Sequence, residues 1–141
     1  MSDEPMSLFD AAYYGQTALV SQLLRDGDDP NIVGEYGYTP LSMASSNGDA
    51  EVVKLLLDAG ADPNLADEEG RTPLHRASWR GCAKVVKLLL EAGADLNLAD
   101  ENGSTARHDA YNPLSPASDK ARAKVVKLIR EAGESVSETK E

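Results

Sequence analysis

Two histidines, His75 and His108, and one cysteine, Cys82, are the residues of this 141-residue chain most able to do proton, nucleophilic or metal chemistry. Acids cluster at Asp26-Asp28-Asp29 and Asp67-Glu68-Glu69. None of these groups is spaced for catalysis. A nucleophile needs a base within hydrogen-bond reach, and Cys82 has only His75 in its own segment, seven residues earlier. It follows Gly81 at a helix start, a position that can activate a thiol, but it reads more simply as a small apolar side chain. The acidic clusters lack the spacing of oxygen ligands in a calcium loop and read as solvated turns. A single cysteine builds neither a zinc cluster nor an internal disulfide. No glycine-rich phosphate loop is present. The expectation is a chain with no catalytic residue, no metal and no cofactor, and so not an enzyme.

Residues suited to recognition are easier to find. Trp79, the one tryptophan, sits among Arg71, Arg76 and Arg80. Arg76 and Arg80 are four apart and would share one helix face. Aromatic and arginine side chains dominate binding hot spots.

Composition sets the frame. Lys and Arg number 14, Asp and Glu 24, and the net charge is −10. Phosphate neutralisation needs the opposite balance, so nucleic acid is not the expected partner. At 41% hydrophobic residues the chain can bury a core. No apolar run approaches the ~20 residues that span a bilayer, and the acidic start Met1-Ser2-Asp3-Glu4-Pro5 reads as neither signal nor anchor. The expected setting is the cytoplasm or nucleus, not the secreted space.

What must position these residues is an internal repeat. Residues 37–69 and 70–102 align without a gap and are identical at 23 of 33 positions. The register extends backward, placing Leu8, Ala11 and Gly15 over Leu41, Ala44 and Gly48. It extends forward through Gly103, Thr105 and Ala110, after which the next Val-Val-Lys-Leu comes late, at Val125. Within each unit Thr39 or Thr72 is an N-cap followed by proline, opening a short helix near 40–47 or its equivalent. Gly48 and Gly81 end it. A second helix carries Val52, Val53, Leu55, Leu56 and Leu57, an apolar stripe too wide for a lone surface helix. One such pair cannot bury its stripe; stacked copies can.

The unit resembles the ankyrin repeat, on Thr72-Pro73-Leu74-His75, on Thr39-Pro40-Leu41-Ser42 and on the twice-repeated Leu-Leu-x-x-Gly-Ala-Asp-x-Asn. The resemblance implies an all-α solenoid of four stacked helix-turn-helix units over residues 7–133. These are a capping repeat (7–34), two full repeats (35–67 and 68–100) and a modified C-terminal repeat (101–133). Residues 1–6 and 134–141 are expected to be flexible ends. The resemblance also assigns His75 and His108 a structural role beside the capping threonine, and places short helices and hairpin tips on a concave, partner-facing side. The last unit departs from the pattern: Ala106-Arg107 replaces Pro-Leu, and Tyr111-Asn112-Pro113-Leu114-Ser115-Pro116 interrupts any helix, marking an insertion near 111–118. Its second helix is expected to restart at Ser118 or Asp119 and to end at Glu131, before Gly133.

Five of the ten differences between the two full units fall at the hairpin or short helix, while the apolar positions of the second helix do not differ. Tyr13 and Trp79 occupy equivalent positions two repeats apart, and Tyr14 aligns with Asn47 and Arg80. The expectation is a protein-protein interaction module, monomeric when free, acting as adaptor, inhibitor or assembly factor. Its docking face would present Tyr13, Tyr14, Tyr36, Tyr38 and Met43, together with Arg71, Arg76, Trp79 and Arg80. Two rivals stand beside it: a small-ligand or oligonucleotide binder using Trp79 with Arg71, Arg76 and Arg80, and a regulatory subunit or scaffold of a larger complex. Residues 1–68 hold 13 acids and 2 bases against 11 and 12 in 69–141, which would orient a partner along the stack. Asn31, Asn64 and Asn97 occupy the hairpin position at which the family is hydroxylated, and Ser115-Pro116 has the form of a proline-directed phosphorylation site.

Overall fold

The computed structural model describes residues 6–138. Its helices come in four antiparallel pairs: α1 (Leu8–Tyr13) with α2 (Thr17–Arg25), α3 (Pro40–Asn47) with α4 (Ala50–Asp58), α5 (Pro73–Arg80) with α6 (Ala83–Glu91), and α7 (Ala106–Tyr111) with α8 (Asp119–Glu138). No strand occurs among the described residues. The short helices α1, α3, α5 and α7 pack in one row and the longer α2, α4, α6 and α8 in a second, each against the next in its row. This is a stacked all-α solenoid.

The caps explain why the short helices start where they do. Thr39 Oγ1 accepts the Ser42 amide at 3.1 Å while Ser42 Oγ accepts the Thr39 amide at 2.8 Å. Thr72 and His75 repeat the exchange at 3.3 and 3.1 Å, with the imidazole Nδ1 as acceptor. Two donors that a helix start leaves without partners are satisfied each time. Leu41 and Leu74 then enter the core almost without exposure. In the outer row Val52, Val53 and Leu56 are fully buried, as are their equivalents Val85, Val86 and Leu89. Burying such side chains contributes about 1.5–3 kcal/mol each, so aliphatic burial between neighbouring repeats is a main stabilising term of the stack.

Between pairs the chain turns through tight hairpins. The amide of Asp67 donates to Arg71 O at 2.9 Å, and that of Asp100 to Ser104 O at 2.9 Å. Neighbouring tips are joined by main-chain bonds, Glu68 N–H to Tyr36 O at 3.0 Å and Glu101 N–H to Glu69 O at 2.9 Å. Asn31 and Asn64 tie one repeat to the next: Asn64 Nδ2 donates to Gly93 O at 3.3 Å while its Oδ1 accepts the Asp95 amide at 2.7 Å.

The fourth pair departs from the pattern of the others. Arg107, standing where Leu41 and Leu74 stand earlier, points out of the core and lies 5.9 Å from the Tyr111 ring centroid, while Ala106 stays buried. Ser118 Oγ accepts the Ala121 amide at 3.1 Å and caps α8. One expectation is corrected here. α8 does not stop at Glu131 but runs through Gly133 to Glu138. Gly133 has no left-handed φ, unlike Gly60 and Gly93, so it continues the helix where they end theirs. Residues 134–138, expected in a flexible tail, are therefore helical; 1–5 and 139–141 lie outside the described residues.

Candidate functional site

The helix α5 and the insertion before α8 enclose a groove of about 530 Å³. It is lined by Arg71 on the hairpin, by Arg76, Trp79 and Arg80 on α5, by Asp100, Asn102 and Ser104 from the next hairpin, by Asp109 on α7, and by Asn112 and Pro116 of the insertion. His75 lies at the base, 1% exposed, with Nε2 2.8 Å from Ser104 O. Because Nδ1 accepts the Thr72 amide, the ring is the Nε2–H tautomer, donating to that carbonyl. His75 thus joins two repeats and is spent on structure. His108 repeats the cap, accepting the Thr105 amide at 2.9 Å, on the exposed side of α7.

The three arginines differ in what they are free to do. Arg76 Nη2 is 2.5 Å from Asp67 Oδ2, and its guanidinium stands 4.7 Å from the Tyr38 ring centroid. Arg71 Nε lies 3.8 Å from Glu69 and 3.9 Å from Asp100. Arg80, on the last turn of α5 and exposed, makes no ion pair among the described residues. Of the trio, Arg80 offers a partner the most available charge.

Two carboxylates lining the groove are shifted in opposite directions. Burial acts to raise Asp100, but the amides of Ser104 and Asn102 that it accepts, with the Arg71 guanidinium beside it, outweigh this and hold the group below the ordinary carboxylate value. Burial raises Asp109, and the neighbouring Asp100 charge adds to it; the Arg71 guanidinium offsets only part. The groove therefore brings guanidinium groups and an indole together with carboxylates and amides. That arrangement suits hydrogen-bonding and ion-pairing to a polar chain, and it holds no nucleophile paired with a base.

The insertion is seated on α5. Ser115 Oγ donates to Trp79 O at 2.7 Å and accepts the Ala117 amide at 3.1 Å. Trp79 O belongs to the last turn of α5, where helix carbonyls lack internal partners. At the other end of the stack, Asn47 Nδ2 donates to Tyr13 O at 2.6 Å, and Tyr13 is Trp79's equivalent. The insertion supplies to α5 the bond that the following repeat supplies to α1. Arg122, after the insertion, is bound to Asn112 O at 3.2 Å and to Asp119.

The remaining face residues do not converge on this groove. Tyr13 and Tyr14 are exposed and stacked edge to face, centroids 4.9 Å apart, at the first repeat. Tyr36 and Tyr38 meet at 5.8 Å on the second hairpin. Tyr36 is the only non-glycine residue with positive φ among those described (60°), a strained conformation held on an exposed tip. Met43, expected on the docking face, is corrected: it is 7% exposed and turned inward. Trp79 is 37% exposed, less open than a freely projecting indole. Asp100, Asp109, Asn112 and Pro116 were missed as groove residues. Asp100 is shared with the equivalent Asp67 and so carried no contrast, and the insertion stands outside the repeat alignment.

Of the asparagines, Asn31 and Asn64 use their side chains between repeats, while Asn97 is exposed and its side chain makes no hydrogen bond among the described residues.

The family model for ankyrin repeats, in three copies, matches residues 8–100. The chain belongs to the ankyrin-repeat family. The match ends before α7, so the altered fourth pair and its insertion lie outside it. No curated protein sequence matches the chain. Ankyrin repeats are in general protein-protein interaction modules. No described helix is long and apolar enough to cross a membrane.

Proposed function

We propose that this chain is a non-enzymatic binding module of the cytoplasm or nucleus. As a monomer it docks a partner protein or peptide in the groove between α5 and the insertion, as an adaptor, inhibitor or assembly factor. The observation that carries this reading is the convergence of Trp79, Arg71 and Arg80 with Asp100, Asn102 and Asn112 on one open groove. An extended peptide would bring main-chain amides to the asparagines, a carboxylate to Arg80 and an apolar side chain to the indole. Tyr36 and Tyr38 extend the contact along the stack through Arg76. Tyr13 and Tyr14 would form a second contact at the acidic end, reached only by a long partner.

Affinity capture on the folded chain, with mass spectrometry, identifies the partner. Titration of that partner into Arg80→Glu tests the face. Reversing an exposed, unengaged charge should weaken binding at least about tenfold and leave the fold intact. Unchanged affinity in Arg80→Glu would place the contact elsewhere.

A further inference from the structure

Seven prolines occur in the chain, and three follow a hydroxyl residue: Thr39-Pro40, Thr72-Pro73 and Ser115-Pro116. The first two hydroxyls are 3% and 2% exposed and engaged in helix caps. Ser115 is different. It is half-buried in a non-helical segment, between Leu114, 80% exposed, and the exposed Pro116. Its hydroxyl holds the insertion onto α5 by donating to Trp79 O at 2.7 Å. The insertion in turn supplies Asn112 and Pro116 to the groove.

We propose that Ser115 is a phosphorylation site for a proline-directed kinase, and that its modification releases the insertion from α5. In the transfer, Ser115 Oγ attacks the γ-phosphorus of a nucleoside triphosphate. The oxygen–phosphorus bond forms as the bond to the departing nucleoside diphosphate breaks, and the hydroxyl proton passes to the kinase's base. The product cannot keep the native contact. Its ester oxygen has no proton to donate to Trp79 O, so that bond is lost. The phosphate adds about −1.5 to −2 charges at neutral pH, beside a carbonyl at the negative end of α5. Arg122 does not stand free to receive it, being already bound to Asn112 O and Asp119. The seat itself is tight: a Cβ on Gly81 would collide with Ala117, so the seated insertion has no room beside the end of α5 for added bulk. Only the consequence for partner capture rests on the groove being the docking face; phosphorylation and release are read without any partner.

The test uses the full chain, a proline-directed serine/threonine kinase and magnesium ATP. The readouts are mass mapping, the emission of the single tryptophan, and amide exchange. The expected result is one phosphate on Ser115 and none on Thr39 or Thr72. Trp79 emission should move to longer wavelength and exchange across 112–118 should quicken by about tenfold, with α3 and α4 unchanged. Pro116→Ala should keep native emission, because the Ser115–Trp79 bond remains, and take up no phosphate. Failure of the folded chain to be modified at Ser115 overturns the proposal. So does a phosphorylated chain with unaltered emission and exchange, or one whose exchange rises throughout α3 and α4. If the modified chain releases the insertion but binds its partner as before, the groove reading fails and the switch stands.

Discussion

Arg76 leaves α5 to reach Asp67 on the preceding hairpin, 2.5 Å between Nη2 and Oδ2, with the guanidinium over the face of Tyr38. The Asp67 side chain is 2% exposed and also accepts the amides of Glu69 and Arg71 at 2.9 and 3.0 Å. The arginine that looked like a partner contact in the sequence therefore completes the hairpin that carries Arg71.

Removing Arg76 and removing Arg80 should have different consequences. Arg76→Ala strands a buried carboxylate and should cost about 1–3 kcal/mol of stability. Arg80→Ala, with no ion pair to lose, should stay within about 0.5 kcal/mol. Urea denaturation of both variants measures the difference; equal losses would mean that the Asp67 pair is of no structural weight.

The core prediction concerns Leu56 and Leu89, both fully buried in the outer row. Truncating either to Ala leaves a cavity between neighbouring repeats and should cost roughly 2–5 kcal/mol. Equilibrium denaturation showing under about 1 kcal/mol for both would contradict the stacking described.

Gly81 couples backbone conformation to the insertion. Its φ is 77°, and an added Cβ would meet Ala117. Gly60, φ 98°, has open space around the same atom. Gly60→Ala carries only the left-handed penalty, about 1–2 kcal/mol. Gly81→Ala should cost more and should also shift Trp79 emission, since the insertion must move. Matching losses with no emission change would show that the insertion is not seated on α5.

The two shifted carboxylates give opposite pH signatures. Asp100 is lowered in the fold, so its stabilisation is present above the unfolded value, about 3.9, and is lost as pH falls through the lower native value. Asp109 is raised, so its charge opposes folding at neutral pH. Asp109→Asn should therefore stabilise the chain at pH 7. The advantage should shrink as pH falls below the raised value and vanish below about pH 4, where the acid is neutral in both states. Denaturation midpoints across pH 3–7 measure this; an advantage that grows on acidification would reverse the sign.

Much of the solenoid was legible because each repeat writes its own punctuation. Thr-Pro fixes the start of α3 and α5, and the Val-Val-x-x-Leu stripe fixes what α4 and α6 bury. Where no second copy existed to compare, reading stopped. The run of α8 through Gly133 depends on a right-handed backbone at that glycine, which glycine spacing cannot show. The site was legible in residue type but less so in commitment. Trp79, Arg71 and Arg80 were found by contrast between the two units. That same contrast drew in Met43, which differs between units yet faces inward, and Arg76, which is spent on Asp67. Asp109, Asn112 and Pro116 enter the groove from the unit that the repeat does not describe.

The central claim is that the groove at Trp79 is where a partner docks. Its most direct test is titration of the captured partner into wild type, Trp79→Ala and the outer-row double variant Lys54→Ala with Lys87→Ala, with unfolding midpoints measured on the same samples. Trp79 is 37% exposed, so its truncation should carry some cost to stability, but its main loss should be in binding: about thirtyfold or more, the effect of a hot-spot aromatic. The lysine pair, exposed on the outer row, should change neither. A large fall in midpoint with unaltered affinity in Trp79→Ala would make the indole a packing residue and contradict the account.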